Sequence, residues 1–151
     1  MRGRAASLML FFTVTASLPA LAQDLAVIVH IDRNDDVDLA DLAEIYLKRR
    51  HYWANGDRIV PVNRDAESPI RDAFTHIVLG ASAREQVVYW NRQYFLGVLP
   101  PATLASDEAV KRFVASEPLA IGYIDASAVD TSVRVVLLLK KPAAKPGDAP
   151  E

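Results

Sequence analysis

Arg64 and Ser68, four residues apart, are the pair in this sequence whose types and spacing best suit chemistry. A guanidinium presents a planar fork of N–H donors that matches the oxygens of a phosphate or carboxylate. Ser68 can N-cap a helix, and Pro69 suits the first helical position, where a missing N–H costs nothing. Upstream, Arg58-Ile59-Val60-Pro61-Val62 is a short β-branched run after the turn signal Asn55-Gly56-Asp57. A strand-to-helix turn of this kind aims free backbone N–H groups and the positive end of the helix dipole at one point. The chemistry it suits is capture of a small anion. An ordinary capped helix beside a surface arginine reads the same way, and on this stretch alone it is the better-supported reading.

Other constellations are weaker. Asp32-Arg33-Asn34-Asp35-Asp36-Val37-Asp38 opens like a calcium loop, but the sixth and twelfth positions, Val37 and Ala43, lack the glycine and the bidentate acid such a loop needs. It reads as a solvated acidic turn that caps a helix. His30, His51 and His76 are dispersed, with no i,i+4 pair and no cysteine, so no zinc pattern exists. No Gly-rich phosphate loop or Gly-x-Ser-x-Gly elbow occurs. Ser68, Asp72 and His76 form a triad only by inventory, because successive turns of one helix string them out without convergence. The sequence supports no enzyme activity and no cofactor.

The elements that position Arg64 and Ser68 follow from periodicity. Leu25 to Ile31 is a nearly continuous apolar run, as expected for a strand covered on both faces. Asp38 caps a helix with Leu39, Leu42, Ala43 and Tyr46 on one face, ending at Lys48-Arg49-Arg50. The helix after Ser68 carries Ile70, Phe74, Ile77 and Val78 on one side, and Gly80 stops it. Ser82-Ala83-Arg84-Glu85 is a capping box for a helix with Val87, Trp90, Asn91, Tyr94 and Phe95 along one flank. Ser106 starts a fourth helix with Val110, Phe113 and Val114 inward, and Leu119 to Ile124 and Val133 to Leu139 are the last strands. Strands interleaved with helices predict one α/β domain around a small, mainly parallel or mixed sheet of four strands. Its expected core is Val27, Ile28, Val29, Leu42, Val60, Val62, Phe74, Trp90, Phe113, Ile121 and Val135. Gly122, inside a β-rich strand, marks a close approach.

Residues 1–22 read as a secretory signal peptide: Arg2 and Arg4, an apolar stretch from Leu8 to Val14, then Ala20-Leu21-Ala22 before Gln23. No other apolar run approaches about 20 residues, so no stable membrane insertion is expected after its removal. That removal takes away two arginines and no acids from a chain of formal charge −2, which gives no support for nucleic acid as a partner. With no cysteine, an exported chain must hold by packing alone. Residues 23–139 form the expected domain, and the proline- and alanine-rich residues 140–151 an expected disordered tail.

One ordered series of motifs goes beyond pattern. Leu42 to Leu47, Tyr52-Trp53-Ala54-Asn55-Gly56, Arg64 with Ser68, Tyr89-Trp90, Phe95-x-Gly97, Ser106, Val114 to Glu117 and Ala120-Ile121-Gly122-Tyr123 follow one another. This series resembles the second lobe of the phosphate-binding periplasmic proteins that serve ABC transporters, in a short, single-lobe branch. The resemblance implies a periplasmic-binding-protein type II-like lobe and a periplasmic location. It implies phosphate held by an arginine and a Ser-Gly-Thr turn. Arg64 matches the arginine and Ser68 the serine, while Pro69 and Ile70 stand where glycine and threonine are expected. Pro69 removes a backbone donor and Ile70 a hydroxyl. Ala66 stands at a position where an aspartate would steady the arginine, a role open to Asp65 or Glu67. The oxyanion candidates are therefore Arg64, Ser68 and Ile70.

The first lobe's Gly-Ser-x-Thr type turn has no counterpart here, so the resemblance implies weak binding of phosphate or a similar oxyanion. The alternative is a binding-lobe relic that serves as a periplasmic protein-protein interaction module. The partner would then be a periplasmic or transporter protein.

Overall fold

The computed structural model describes residues 24–140. The expected signal peptide and the expected tail beyond Lys140 lie outside the described residues. The elements in chain order are β1 (Leu25–His30), α1 (Leu39–Tyr46), β2 (Val60–Arg64) and α2 (Pro69–Phe74), which runs into a π-helical turn (Thr75–Leu79). Then come α3 (Ala83–Phe95), β3 (Ala102–Leu104), α4 (Asp107–Ser116), β4 (Ala120–Asp125) and β5 (Val133–Leu139).

The strands form one mixed sheet in the order β3-β2-β4-β1-β5. β2 is parallel to β3 and to β4, whereas β1 is antiparallel to both β4 and β5. The sheet therefore has five strands, not four. The missed one, β3, is three residues long and mostly exposed, too short to carry an alternation.

The apolar run of β1 is buried because both faces of the sheet are covered. Leu25, Val27 and Val29 face one layer with Leu42, Ile45, Tyr46, Phe74 and Val78. Ala26 and Ile28 face the other with Val62, Val110, Val114 and Ile124. Alternate residues of one strand thus feed two helix layers. In the first layer Phe74 stacks on Tyr123 with ring centroids 3.7 Å apart, and Tyr46 packs against both. The Tyr46 hydroxyl donates to a backbone carbonyl, with Val62 O at 3.1 Å and Ile121 O at 3.3 Å, and burial pushes its pKa well above the ordinary value.

Helix ends follow their local chemistry. Asp38 and Asp41 form a reciprocal capping box on α1, as do Ser82 and Glu85 on α3. The α1 face is rotated from the one expected: Leu39 is 44% exposed and Ile45 is buried in its place. Of the expected core, Val60, Trp90, Phe113 and Val135 are only half-buried.

The larger departure is α3, among whose described side chains none is fully buried. Val87, Val88, Tyr94 and Phe95 are exposed, and so are Leu96 and Leu99 just beyond. Phe95, at 87% exposure, makes so little contact that Phe95→Ser is expected to change stability by no more than about 0.5 kcal/mol, measured by urea unfolding.

Lys111 ties α4 to the loop before β5, with Nζ 2.7 Å from Asp130 and 3.0 Å from Glu108. Hydrogen bonds from Lys111 and Ser132 hold the Asp130 carboxyl well below the usual range. Its contribution is therefore present above the unfolded value of about 3.9 and lost as pH falls further. Hydrogen bonds to Asp130 and Glu108 raise Lys111, whose contribution is complete below about 10.4 and lost as pH rises through its folded value. Asp130→Asn is expected to flatten the loss of melting temperature below about pH 4. High salt should do the same in part, because Asp130 is half exposed although Lys111 is largely covered.

Candidate functional site

The parallel strands β2, β3 and β4 end on one side of the sheet, at Arg64, Leu104 and Asp125. In open α/β sheets the carboxyl ends of strands are where ligands gather. A depression of about 540 Å³ lies there, lined by residues of the Arg64–Pro69 turn together with Ala105. A larger one, about 640 Å³, lies at the opposite end beside Asp32–Asp36. Its Arg33 is already committed to Asp35 at 2.7 Å, to Asp57 at 3.4 Å and to Pro118 O at 2.8 Å, and it stacks over Trp53. The acidic turn is thus folded around its own arginine.

Arg64 is the last residue of β2 and is 8% exposed. Its guanidinium is ion-paired to Asp107 and donates to Ala105 O at 3.3 Å, while its buried Nε has no partner. Two of the five N–H donors of the side chain are thereby used. Its backbone carbonyl accepts from Arg71 Nη1 at 2.8 Å, and its N–H points to the Tyr123 hydroxyl at 3.4 Å. Tyr123 in turn donates to Asn63 Oδ1 at 2.8 Å. Burial pushes Tyr123 up to about 12, against the opposing influence of the Arg64 backbone bond and of the charges of Arg71 and Arg64. The hydroxyl therefore stays a neutral donor fixing the end of β2.

Asp107 was not singled out by sequence reading, yet it does the steadying expected of Asp65 or Glu67. It opens α4, which Ser106 caps through Ala109 N–H at 3.1 Å. Its second oxygen accepts from Asp125 N–H at 3.3 Å. The available signal was an acid directly after the Ser106 cap, where the helix dipole favours a carboxylate. Asp65 and Glu67 are instead exposed and line the depression.

Ser68 sits at the N-cap of α2 with no side-chain cap bond, so its hydroxyl is uncommitted among the described residues. Its N–H closes the turn onto Asp65 O at 3.0 Å. Ile70 does not line the depression; its side chain packs against the core on the α1 side of the sheet. The structure thus brings Arg64 and Ser68 together and sets Ile70 apart. α2 has six residues before the chain widens into the π turn, so its dipole adds only the field of its first turn.

No protein-family model matches the chain, and no curated protein matches it. Solved structures do. A protein from Clostridium perfringens, assigned as a phosphate ABC transporter substrate-binding protein and solved with bound phosphate, matches 76% of this chain at 30% identity and a TM-score of 0.61. An ABC-type phosphate transport receptor from Vibrio cholerae matches 76% at 22% identity and a TM-score of 0.60. PstS from Borrelia burgdorferi matches 78% at 16% identity and a TM-score of 0.58. The chain covers 44%, 45% and 47% of these proteins, less than half of each. The fold is that of a single lobe of a periplasmic binding protein, and the resemblance read from the motif series is borne out.

Proposed function

We propose that this chain is a substrate-binding-type lobe that takes phosphate or a similar small oxyanion weakly at Arg64 and Ser68, in the periplasm. It is not an enzyme on this reading. The observation that carries the proposal is the pairing at the end of β2: a buried guanidinium held by Asp107, beside a free Ser68 hydroxyl, over one open depression. The likeness to a phosphate-bound structure at 30% identity supports it. The composition of residues 1–22 supports export.

The magnitudes place the affinity. Three or four charge-assisted bonds at about 1.5–3 kcal/mol each must offset about 4 kcal/mol or more of lost translational and rotational freedom. Asp107 already neutralises Arg64, and Asp65 and Glu67 repel an incoming anion. The balance is a dissociation constant of about 1 mM, or about −4 kcal/mol, unless a partner completes the site.

Phosphate titration followed by amide chemical shifts tests this. Shifts at residues 64–70 are expected to fade as salt rises, to weaken in Ser68→Ala and to vanish in Arg64→Ala. Glu67→Gln is expected to tighten binding several-fold by removing a repelling charge. Shifts that persist in both Arg64→Ala and Ser68→Ala, or none at tens of millimolar phosphate, defeat the assignment.

A second reading has its own observation. The exposed apolar side of α3 and the following loop suits a binding lobe used as a protein-protein interaction module without ligand. Self-association or co-purification with a transporter subunit that Phe95→Ser abolishes, with no phosphate response in wild type, would favour it.

A further inference from the structure

The strongest concentration of uncompensated positive charge lies away from the Arg64 turn. Leu47 is the C-cap of α1, and the next residue, Lys48, has φ +57°. Arg49 N–H bonds Glu44 O at 2.8 Å and Lys48 N–H bonds Ile45 O at 3.1 Å, the paired bonds of a Schellman ending. Glycine is the residue favoured at this left-handed position. The chain carries lysine there instead, and Lys48 faces a depression of about 360 Å³ that His51 and Arg58 also line.

No acid lines that depression, and among the described residues neither Lys48, His51 nor Arg58 has a carboxylate partner. Carboxylates of the surrounding segments are taken: Asp41 by Arg50, Glu44 by Arg49, Asp57 by Arg33 and Asn55. Burial and the nearby charge of Arg58 together lower the Lys48 pKa, as unneutralised like charges should. Ile59, Val98 and Leu99 supply an apolar wall. The Arg64 turn is the reverse case, one guanidinium among Asp65, Glu67 and Asp107.

We propose that this depression is a second anion site, built for a phosphomonoester whose charged end sits among Lys48, His51 and Arg58 and whose apolar group lies on Ile59, Val98 and Leu99. Two cationic side chains, Lys48 and Arg58, line the depression beside the His51 ring with no acid in its lining, so an external dianion relieves the repulsion between the two cations. The apolar wall distinguishes an ester from the inorganic ion. A soluble organic phosphate and a phosphorylated lipid headgroup share this chemistry.

The test titrates phenyl phosphate and inorganic phosphate into the full chain, read by amide and lysine side-chain chemical shifts. Phenyl phosphate is expected to shift Lys48, His51, Arg58 and Val98 and to bind more tightly than inorganic phosphate. These shifts should survive Arg64→Ala, which separates this site from the one at the end of β2. Lys48→Gly is the informative variant, because the left-handed backbone suits glycine: melting temperature is expected to hold or rise while phenyl phosphate binding drops. Combined with Arg58→Gln, the drop should be about tenfold or more. Flotation with phosphatidylcholine vesicles containing phosphatidic acid distinguishes the sources: capture lost in the double variant identifies a lipid headgroup, and phenyl phosphate binding without capture identifies a soluble ester. Equal affinity for the two phosphates, no shift at these residues, or binding unchanged in Lys48→Gly/Arg58→Gln overturns the proposal.

Discussion

Gly122→Val is expected to lower the melting temperature by about 10 °C or more. Gly122 lies in β4 opposite Ile28, on the face that α4 covers. A Cβ built there would stand 2.6 Å from Val110 Cγ1, 3.1 Å from Val62 Cγ2 and 3.3 Å from Val114 Cγ2. The first separation is below any real carbon–carbon contact, and valine adds two further methyl groups. Overpacking a filled core costs about 1–3 kcal/mol and sometimes more, and a central strand pinned on both sides has little room to shift. Val110→Ala removes the offending methyl, so Gly122→Ala combined with Val110→Ala should lose less than the sum of the single losses. Removing residues 142–151 is expected to leave the melting temperature unchanged. Equal losses in Gly122→Val and in that truncation would contradict the packing described.

Asp107→Ala is expected to cost about 2–4 kcal/mol in denaturant unfolding. The substitution strands the Arg64 guanidinium, which is nearly enclosed and whose buried Nε already has no partner. It also removes the acceptor for Asp125 N–H and a carboxylate from the first turn of α4. Breaking one side of a buried pair costs about 3–5 kcal/mol, and the partial exposure of Asp107 draws the figure down. Replacing both partners, as in Arg64→Met with Asp107→Leu, should cost less than Asp107→Ala alone, because no charge is then left without its counterpart. A double variant as unstable as the single one would show that the pair orders the strand ends by more than mutual neutralisation.

What could be read from the sequence was what adjacent residues decide. The caps at Asp38 and Ser82, the stop at Gly80 and the strands at Leu25 and Val133 each rest on a few neighbouring side chains. Gly122 was legible as a close approach, though not as an approach of Val110. Residues joined across the fold were not legible. Arg64 was found by its type, but its anchor stands at Asp107 on a different helix. Ile70 was placed at the site by the motif series, yet the turn of α2 carries its side chain to the core. For α3, periodicity revealed an apolar flank at Val87, Trp90 and Tyr94 without saying what covers it, and among the described residues little does.

The direction of β1 sets when the chain can fold. Leu25 lies opposite Asp125 on one side and Leu139 on the other, so the first strand finds both neighbours only among the last. Every partner of β1 is thus separated from it by most of the sequence, and loop closure of that span must precede the reward of pairing. A chain emerging from the ribosome would hold β1 apolar and unpaired until β4 appears, and with one open edge until Leu139 is made. Slow, late collapse of this kind would suit the export proposed above, because it leaves time for passage through a membrane in an extended state.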